Sequence, residues 1–569
     1  LSQEVSRAKR DDMISPAESA ESRDIVQEKE KVLHRPKRNL NSFTLLLLLV
    51  AVFGGLIFGL DIGTAATTSM TAFREDMGIP VLQTGQKDAS STTAQINQFT
   101  YVFHATCLVG APFAGFISDR VGRKPVICIA ATIFMLGSLW QSLAGLISTG
   151  FAWKSIIIGR AIGGIGLGFN LTMAPVYTAE LIPAQWRGQA ITLFQLSITT
   201  GIFVMAIYNN FIGPSWGWRL GIALQIIPCL LMIFFTVTMF PESPRYLIKV
   251  KKFDEAEAAL RLLARGTPDS ENVVAFEMQQ IKEEVAAEEE AGTGTIFELF
   301  QGENLVSVMC AGGIAFCQNV TGVNWFINYA TTLFNSLGFD AFTYDLILKA
   351  FNMGFTLAAV PLIDNVGRKP MTVWGTTFVV IAFLLIAVVI QVSGVDVNTA
   401  DGDHKTHAVQ IFSVVMIYIF QAVYATTWGP LGWIIPAESF SLRVRGVGMS
   451  FCVSMNFLTN ILLGDVGYDR IYSATNLQIA CFVLVVLNVC FAYPVATLFQ
   501  PETRGLGLED LRKVFAYEKG GNEERGFGTI RQYIARNFKQ TRQVYSCRTA
   551  DTTIGFERLR KRNPRAFDV

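Results

Sequence analysis

The decapeptide GFISDRVGRK, residues 115–124, lies between two long apolar runs, and its charged core returns later in the chain. Asp119-Arg-Val-Gly-Arg-Lys is matched by Asp364-Asn-Val-Gly-Arg-Lys, 245 residues further on. A short charged loop between two apolar runs is what joins two membrane-spanning helices. Its recurrence therefore indicates a membrane protein that is built from two related halves.

Two further pairs of motifs repeat with nearly the same separation, 258 and 260 residues. They are Glu180 with Arg187-Gly188 against Glu438 with Arg445-Gly446, and Pro241-Glu242 against Pro501-Glu502. Three ordered repeats predict two homologous halves of six helices each. Parallel repeats of this kind are typical of secondary transporters, whose binding site lies between the halves near the middle of the membrane.

The composition argues against most soluble classes of protein. Of 569 residues, 51% are hydrophobic and only 16% are charged, whereas soluble domains carry about 25% charged residues. Because 47 basic and 46 acidic residues leave a net charge of +1, we expect no nucleic-acid partner. The chain has no phosphate-binding loop of the form GxxxxGK followed by Ser or Thr, and no Cys or His spacing typical of a metal site. We therefore expect no enzymatic activity, no cofactor and no bound metal.

Twelve apolar segments have the length of about 20 residues that a membrane-spanning helix needs. They are predicted at 43–63, 96–117, 125–147, 153–178, 187–211, 217–240, 304–330, 342–363, 371–393, 408–436, 444–464 and 476–499. The predicted fold class is an all-α membrane protein with the following parts: a tail (1–40), a six-helix bundle (41–240), a helical linker domain (241–303), a second six-helix bundle (304–499) and a C-terminal tail (500–569).

The linker domain shows helical periodicity rather than the pattern of a loop. Phe253, Ala256, Leu260 and Leu263 recur at helical spacing, and Gly266 is a candidate helix end. We expect these four apolar side chains to form one buried face.

Lys and Arg residues concentrate in the loops on one side of the predicted bundles, among them Arg120, Arg123 and Lys124. Because basic loops stay on the cytoplasmic side of a membrane, the pattern predicts a multi-pass protein with a cytoplasmic linker domain and both termini in the cytoplasm. We expect a monomer in the lipid bilayer of the plasma membrane. Both polar tails are expected to be largely disordered.

The ordered motifs resemble the signatures of the major facilitator superfamily and, within it, of the sugar porter family. They are Gly115-x3-Asp119-Arg120-x-Gly122-Arg123-Lys124, Gly159-Arg160-x-x-Gly163-Gly164, Pro175-x-Tyr177-x-x-Glu180, Pro241-Glu-Ser-Pro-Arg245, Gln318-x3-Gly322-x-Asn324 and Pro501-Glu-Thr-Arg504. The resemblance extends from about residue 43 to residue 505 and excludes both tails. It implies two pseudo-symmetric six-helix bundles that rock about a central site.

A neutral sugar is bound by amide side chains and by flat apolar faces. Gln318 and Asn324 lie about 240° apart on an ideal helix, so we predict a local unwinding at Gly322 that lets both face one cavity. Gly429-Pro430 is predicted to interrupt the tenth span. The chain departs from the family pattern at Asn319, where Gln is usual.

Family resemblance implies a set of sugar contacts in the fifth, seventh, eighth, tenth and eleventh spans. The set is Gln195, Gln318, Asn319, Asn324, Asn352, Trp433, Asn456 and Asn460. Any single amide among them could instead be a hydrogen bond between helices, and the tryptophan could be a packing residue.

Asp61 lies near the end of the first span, in GGLIFGLDIGT, where an ionised carboxylate is costly and is typically functional. Arg160 in the fourth span is its natural partner. The resemblance implies that an acid paired with this arginine is typical of proton-coupled symporters; a static buried ion pair is the alternative. His104 is a second group that could titrate, although a polar residue lining the cavity is the favoured interpretation. Lys349 and Asp345 are expected to reach the membrane interface by snorkelling.

Charged residues at the predicted cytoplasmic helix ends form a candidate gate. They are Asp119, Arg123, Glu180, Arg187, Glu242 and Arg245 in the first half, and Asp364, Arg368, Glu438 and Arg445 in the second. Ion pairs among them would hold the inner ends of the halves together while the binding site faces outward. Incidental ion pairs in basic loops are the alternative interpretation.

The predicted function is transport of a monosaccharide, with a hexose favoured, by alternating access and in symport with a proton. The alternatives are a sugar facilitator without proton coupling, a carrier of a pentose, polyol, disaccharide or quinate, and a sugar sensor that does not transport.

Overall fold

The computed structural model describes residues 41–80, 90–146, 149–183, 186–213, 217–290, 296–328, 334, 340–394, 404–440, 444–465, 477–503, 533–535, 537–538 and 540–541. These residues form helices and connecting turns, and no strand occurs among them. The predictions for the tail at 1–40 lie outside the described residues.

Twelve helical spans within the described residues are long and apolar enough to cross a membrane, which confirms the predicted all-α fold with twelve spans. In the first half they are α1 (Ser42–Gly63), α2 (Ser90–Val121), α3 (Arg123–Ser142), α4 (Ala152–Leu181), α5 (Arg187–Ile207) and α6 (Trp218–Ala223 with Ile226–Thr238). In the second half they are α7 (Gly302–Val320 with Val323–Asn328), α8 (Ala341–Val366), α9 (Arg368–Ser393), α10 (His404–Thr426 with Trp428–Ser439), α11 (Arg445–Thr459, continued as a π-helix over Asn460–Asp465) and α12 (Leu477–Leu487 with π-helical Asn488–Ala492 and Val495–Phe499).

The spans are interrupted at three places, and two of these were expected. In α7 the helix stops at Val320 and resumes at Val323, and Gly322 between them has φ +87°, which confirms the predicted unwinding. In α10 the break falls at Thr427, before the predicted Gly429-Pro430. The prediction was misplaced because a proline in the first turn of a helix interrupts no intrahelical hydrogen bond.

The third interruption, in α6, was not expected. The helix breaks after Ala223 and resumes at Ile226, and the side chain of the buried Gln225 accepts a hydrogen bond from Ser138 Oγ of α3 at 3.0 Å. The sequence did not predict this break, because a single glutamine, Gln225, in an otherwise apolar run does not by itself indicate the end of a helix.

Packing within and between the halves follows the repeat. In the first half α1 packs along α5, and α4 packs against both α2 and α3. Between the halves, α2 packs along α11 and α5 packs along α8. Each half therefore contributes its second and fifth helices to the interface, as a two-fold pseudo-symmetric arrangement requires.

The linker domain contains helices at Pro244–Lys249, Phe253–Leu263 and Ser270–Glu290 that share a small hydrophobic core. Ala256 and Leu260 lie in this core, and Leu263 is buried as well. Phe253 is instead 41% exposed, so its predicted place on the buried face is wrong. It stands at the first residue of its helix and lies beneath Lys282 Nζ, 4.8 Å from the ring centroid, which gives its ring a cation partner at the surface.

The prediction of a largely disordered C-terminal tail is wrong for the described helical residues between 533 and 541. Tyr533, Asn537 and Thr541 lie on one face at helical spacing, and each is at most 4% exposed. Their side chains donate hydrogen bonds to the carbonyl oxygens of residues 499, 498 and 497, at 2.7, 3.0 and 2.9 Å respectively. We call residues 533–535, 537–538 and 540–541 the C-terminal clasp, because their side chains hold the end of α12.

Lys349 and Asp345 do not reach the surface of the protein by snorkelling. The two side chains lie one turn apart on α8, 2.6 Å from each other, and are 5% and 3% exposed. Burial against α10, where Tyr418 donates a hydrogen bond to the Tyr344 carbonyl oxygen at 3.0 Å, overrides the snorkelling that an exposed helix end would allow.

Candidate functional site

Three of the predicted binding residues form one hydrogen-bonded group between α7, α10 and α11. Gln318 donates to the carbonyl oxygen of Gly429 at 3.0 Å, at the start of the second segment of α10. Asn456 of α11 donates to Gln318 Oε1 at 2.7 Å, and Asn319 donates to the Asn456 carbonyl oxygen at 2.6 Å. All three side chains are less than 10% exposed. Side chains of α7 are thus hydrogen-bonded both to the start of the second segment of α10 and to α11.

The unwinding of α7 brings one more amide to this group. Asn324 lies beyond Gly322 and donates a hydrogen bond to Asn319 Oδ1 at 2.5 Å. On an uninterrupted helix Asn324 would face away from Gln318. The break therefore brings Asn324 into contact with Asn319, and the predicted cavity shared by Gln318 and Asn324 stays a prediction.

Trp433 of α10 connects this group to the first half. Its indole Nε1 donates to Gln195 Oε1 of α5 at 2.9 Å. The rings of Phe194 and Phe58 pack edge-on against it, at centroid distances of 5.4 and 6.4 Å. These two aromatic neighbours were not predicted, since a phenylalanine in a membrane span carries no positional signal of its own.

Asn460 and Asn352 are also buried but are placed differently. Asn460 of α11 lies with Nδ2 3.4 Å from Nε2 of His104 on α2, so this contact also joins the two halves. Asn352 of α8 is 2% exposed, and no hydrogen bond recorded among the described residues joins its side chain to the group around Gln318.

Asp61 and Arg160 form a buried ion pair between α1 and α4. Arg160 Nη1 lies 2.6 Å from Asp61 Oδ1, and the side chains are 3% and 1% exposed. Arg160 Nε also donates to the Phe99 carbonyl oxygen at 3.0 Å. The guanidinium lies 4.2 and 3.9 Å from the ring centroids of Phe99 and Phe103. The cation therefore has partners that do not depend on the carboxylate.

The charged end of the first half is organised around Arg123 and Glu242. Arg123 lies 3.4 Å from Glu180 and 3.5 Å from Asp119. The Glu242 carboxylate accepts the backbone N–H groups of Arg123 and Lys124, at 3.1 and 3.2 Å, and so caps the N-terminus of α3. Burial raises the pKa of Glu242 above its usual value in spite of these donors.

The second half repeats this arrangement. Arg368 lies 2.8 Å from Asp364 and 3.3 Å from Glu438. The carboxylate of Glu502 accepts the backbone N–H groups of Arg368 and Lys369, at 3.0 and 3.1 Å. Glu502 was absent from the predicted gate residues, although the repeat of Pro241-Glu242 as Pro501-Glu502 carried the signal that would have found it.

Glycines in both loops permit these carboxylate caps. Gly122 and Gly367 precede α3 and α9 with φ values of +105° and +104°, which side chains rarely adopt. A Cβ on Gly122 would lie 2.4 Å from an oxygen of Glu242, and one on Gly367 would lie 2.7 Å from an oxygen of Glu502. The glycine of the repeated motif therefore supplies both the turn and the space for the carboxylate.

Each ion pair of Arg123 and of Arg368 described above joins residues of the same half, and close packing at glycines brings the two halves together at this end. Gly115 of α2 lies against the backbone of Gly446 at the start of α11. Arg368, in turn, lies against Gly188 at the start of α5. The start of α5 thus contacts the repeated motif of the second half, and the start of α11 contacts the repeated motif of the first half.

One ion pair among the described residues crosses between the halves at this end, from Arg445 Nη1 to Glu180 Oε1 at 3.7 Å. Arg187 Nε donates to the Ala179 carbonyl oxygen at 3.0 Å within the first half. Arg245 is buried at the start of the linker helix Pro244–Lys249. The ten predicted gate residues therefore all lie at one end of the bundles, and most of their recorded ion pairs fasten helices of one half together.

Comparison with known proteins decides the family. The model of the sugar (and other) transporter family matches residues 47–515. The chain belongs to this family. Similar relatives of the transporter include Sugar transport protein 1 of Arabidopsis thaliana, 29% identical over 84% of this chain and 90% of the relative. The Low-affinity glucose transporter HXT3 of Saccharomyces cerevisiae is 28% identical over 89% of this chain and 88% of the relative.

Solved structures confirm the major facilitator fold of the transporter. The proton:xylose symporter XylE bound to 6-bromo-6-deoxy-D-glucose matches with a TM-score of 0.72, at 24% identity over 83% of this chain and 99% of that one. The inward-open conformation of the xylose transporter XylE from E. coli matches with a TM-score of 0.61, at 24% identity over 82% and 99% of the two chains.

The transporter thus combines a group of neutral amides with a separate buried ion pair. Amide donors and acceptors beside an indole suit a neutral polyhydroxylated ligand, and offer no charge to attract an anion. Within the described residues, no cluster of His, Cys, Asp and Glu has the geometry of a metal site.

Proposed function

We propose that this sugar transporter carries a hexose in symport with a proton, and that the charged end faces the cytoplasm of a cell with the protein in its plasma membrane. The Asp61–Arg160 pair is the single observation that carries the coupling. Two opposite charges at 2.6 Å, both almost fully buried, form a site where adding one proton removes one of the two charges.

Proton binding has a simple consequence at this pair. A proton on Asp61 neutralises the carboxylate and weakens its hold on Arg160. The guanidinium stays stabilised by the Phe99 carbonyl oxygen and by the rings of Phe99 and Phe103. The side chain can therefore remain buried while α1 and α4 are released from each other, and the rocking of the halves becomes sensitive to protonation.

The proposed sugar site is the group of Gln195, Gln318, Asn319, Asn324, Asn352, Trp433, Asn456 and Asn460. Gln318, Asn319, Asn324 and Asn456 are joined by hydrogen bonds, and Gln195 is bonded to Trp433, so a sugar can exchange these bonds for its own. The relative named a low-affinity glucose transporter supports a hexose as the substrate.

The proposed gate consists of the charged residues at the cytoplasmic end, with Arg445 and Glu180 as the pair between the halves. Helix-capping carboxylates hold the repeated motifs in shape on each side. Opening of this end separates α2 from α11 and α5 from α8, and exposes the sugar site to the cytoplasm.

The test compares Asp61→Asn with the wild type and with Asp345→Asn in proteoliposomes that contain a pH-sensitive dye. Asp345 is a matched control, since it forms a buried ion pair with Lys349 at the same distance of 2.6 Å in the other half. A pH difference of one unit supplies about 1.4 kcal/mol, enough for about tenfold accumulation in one-to-one symport.

We expect the wild type and Asp345→Asn to accumulate labelled glucose and to take up protons with it. Asp61→Asn should lose both activities and retain sugar exchange across the membrane without a gradient. Uptake by the wild type with no proton movement would identify a facilitator, and sugar binding without uptake would identify a sensor. Competition by unlabelled pentoses, polyols, disaccharides and quinate tests the choice of substrate.

A further inference from the structure

A buried histidine lies between the ion pair and the proposed sugar site. His104 of α2 is 5% exposed and faces the second half, with Nε2 3.4 Å from Asn460 Nδ2. Its ring packs on Phe457 of α11 at a centroid distance of 5.8 Å. The imidazole thus contacts the same helix that supplies Asn456 and Asn460.

The other side of His104 faces the ion pair. Its ring lies 6.2 Å from the ring of Phe103, whose centroid is 3.9 Å from the guanidinium carbon of Arg160. His104 is also close enough to Asp61 to interact with it electrostatically. Asp61 of α1, paired with Arg160 of α4, is thus a charged group within electrostatic range of His104.

The other described contacts of the imidazole are with uncharged groups. Cys107 lies one turn further along α2 itself and is buried within electrostatic range of Asp61. The second half contributes the amide of Asn460 and the ring of Phe457. Protonation of the Asp61–Arg160 pair therefore changes the charge beside His104.

We propose that His104 is a positioning residue that holds the Asn460 amide in place for the sugar and links its orientation to the charge state of the Asp61–Arg160 pair. The proposal rests on the proton coupling proposed above. A neutral imidazole with an unprotonated Nε2 accepts a hydrogen bond from the Asn460 amide nitrogen. A protonated or displaced imidazole cannot accept this bond, so the amide is released.

The amide oxygen of Asn460 connects this release to sugar binding. Asn460 Oδ1 is buried and has no hydrogen-bond partner among the described residues. When the amide rotates, this acceptor changes its direction relative to the sugar site. Protonation near Asp61 thereby changes the orientation of Asn460 in the second half, through the hydrogen bond that joins His104 of α2 to Asn460 of α11.

The test is a double-mutant cycle of His104→Phe and Asn460→Ala, read as sugar affinity of the purified protein with no proton gradient. Phe keeps an aromatic ring against Phe457 but accepts no hydrogen bond, and His104→Gln restores an acceptor. Thr106→Val is the matched control on α2, because the Thr106 hydroxyl bonds only to carbonyl oxygens of its own helix in the described structure.

We expect each single variant to lower sugar affinity about three- to tenfold, which corresponds to one hydrogen bond, and the double variant to lower it no further. His104→Phe should also flatten the dependence of sugar affinity on pH, while His104→Gln restores affinity and Thr106→Val leaves both quantities unchanged. Losses that multiply in the double variant, or an unchanged pH profile in His104→Phe, would overturn the proposal. Proton uptake by the wild type tests the proposed function separately, so failure of one proposal is distinguishable from failure of the other.

Discussion

A methyl group added at Gly115 should force open the charged end of the transporter. The Cβ of Gly115→Ala would lie 2.6 Å from the Gly446 carbonyl oxygen and 2.9 Å from Ser450 Oγ, both on α11 of the opposite half. Since the closest neighbour is backbone, no rotamer change can relieve the contact. An ordinary contact of 3.4 Å requires α2 and α11 to separate by close to 0.8 Å.

The size of the effect follows from the cost of overpacking. One added carbon in a tight contact costs about 1–3 kcal/mol. This cost applies where the two halves are pressed together and disappears where they are apart. The equilibrium should therefore shift about 5- to 150-fold toward the conformation that is open at this end.

Hydrogen exchange of the protein in lipid nanodiscs measures this shift. Backbone amides of residues 115–124 and 445–452 should exchange faster in Gly115→Ala than in the wild type, because opening exposes the ends of α2 and α11. Gly354→Ala in α8 is the matched control, since a Cβ there meets no atom within 4 Å. If Gly115→Ala loses thermal stability while exchange at both segments stays at the level of the control, the clash is absorbed within one half and the contact does not seal this end.

Two other predictions concern the sugar site and the C-terminal clasp. Gln318→Ala removes the partner of Asn456 and of the Gly429 carbonyl oxygen, so equilibrium binding should show sugar affinity reduced by about 1–3 kcal/mol; wild-type affinity would contradict its place in the site. Lys369→Met removes three hydrogen bonds, one of them to residue 537 of the clasp, and should expose the clasp to protease. Lys124 is the matching lysine of the first half, and its ammonium group donates to the carbonyl oxygens of residues 237 and 240 rather than to the clasp. Lys124→Met should therefore leave protease cleavage of the clasp unchanged.

Features that repeat or that depend on hydrophobicity alone were predictable from the sequence. The twelve spans follow from apolar length, and the break in α7 follows from a glycine between amides that would otherwise diverge. The partnership of Asp61 with Arg160 was expected because two opposite charges in apolar spans are costly unless they pair, and the two atoms lie 2.6 Å apart.

Features that depend on contacts between helices distant in the sequence were not predictable. Lys349 was assigned to the interface because it lies near the start of its span, whereas it is buried in an ion pair with Asp345 on a helix that packs along α10. The C-terminal clasp has the polar composition of a disordered tail, and it is ordered by carbonyl oxygens at the end of α12 that no local pattern reveals. At the break in α6, Gln225 is hydrogen-bonded to Ser138, a residue of a different helix.

The two halves share a framework but differ in the chemistry that they carry. The Asp61–Arg160 ion pair lies entirely within the first half, between α1 and α4. Most of the proposed sugar contacts belong instead to α7, α10 and α11 of the second half. Coupling between proton and sugar must therefore pass through side chains that bridge the halves. Two hydrogen-bonded bridges lie at the level of the site, Gln195 with Trp433 and His104 with Asn460, and the rings of Phe58 and Phe194 pack against Trp433 beside them. Because coupling is reciprocal, breaking either bridge should weaken the effect of the proton on sugar binding and the effect of sugar on proton binding by the same factor.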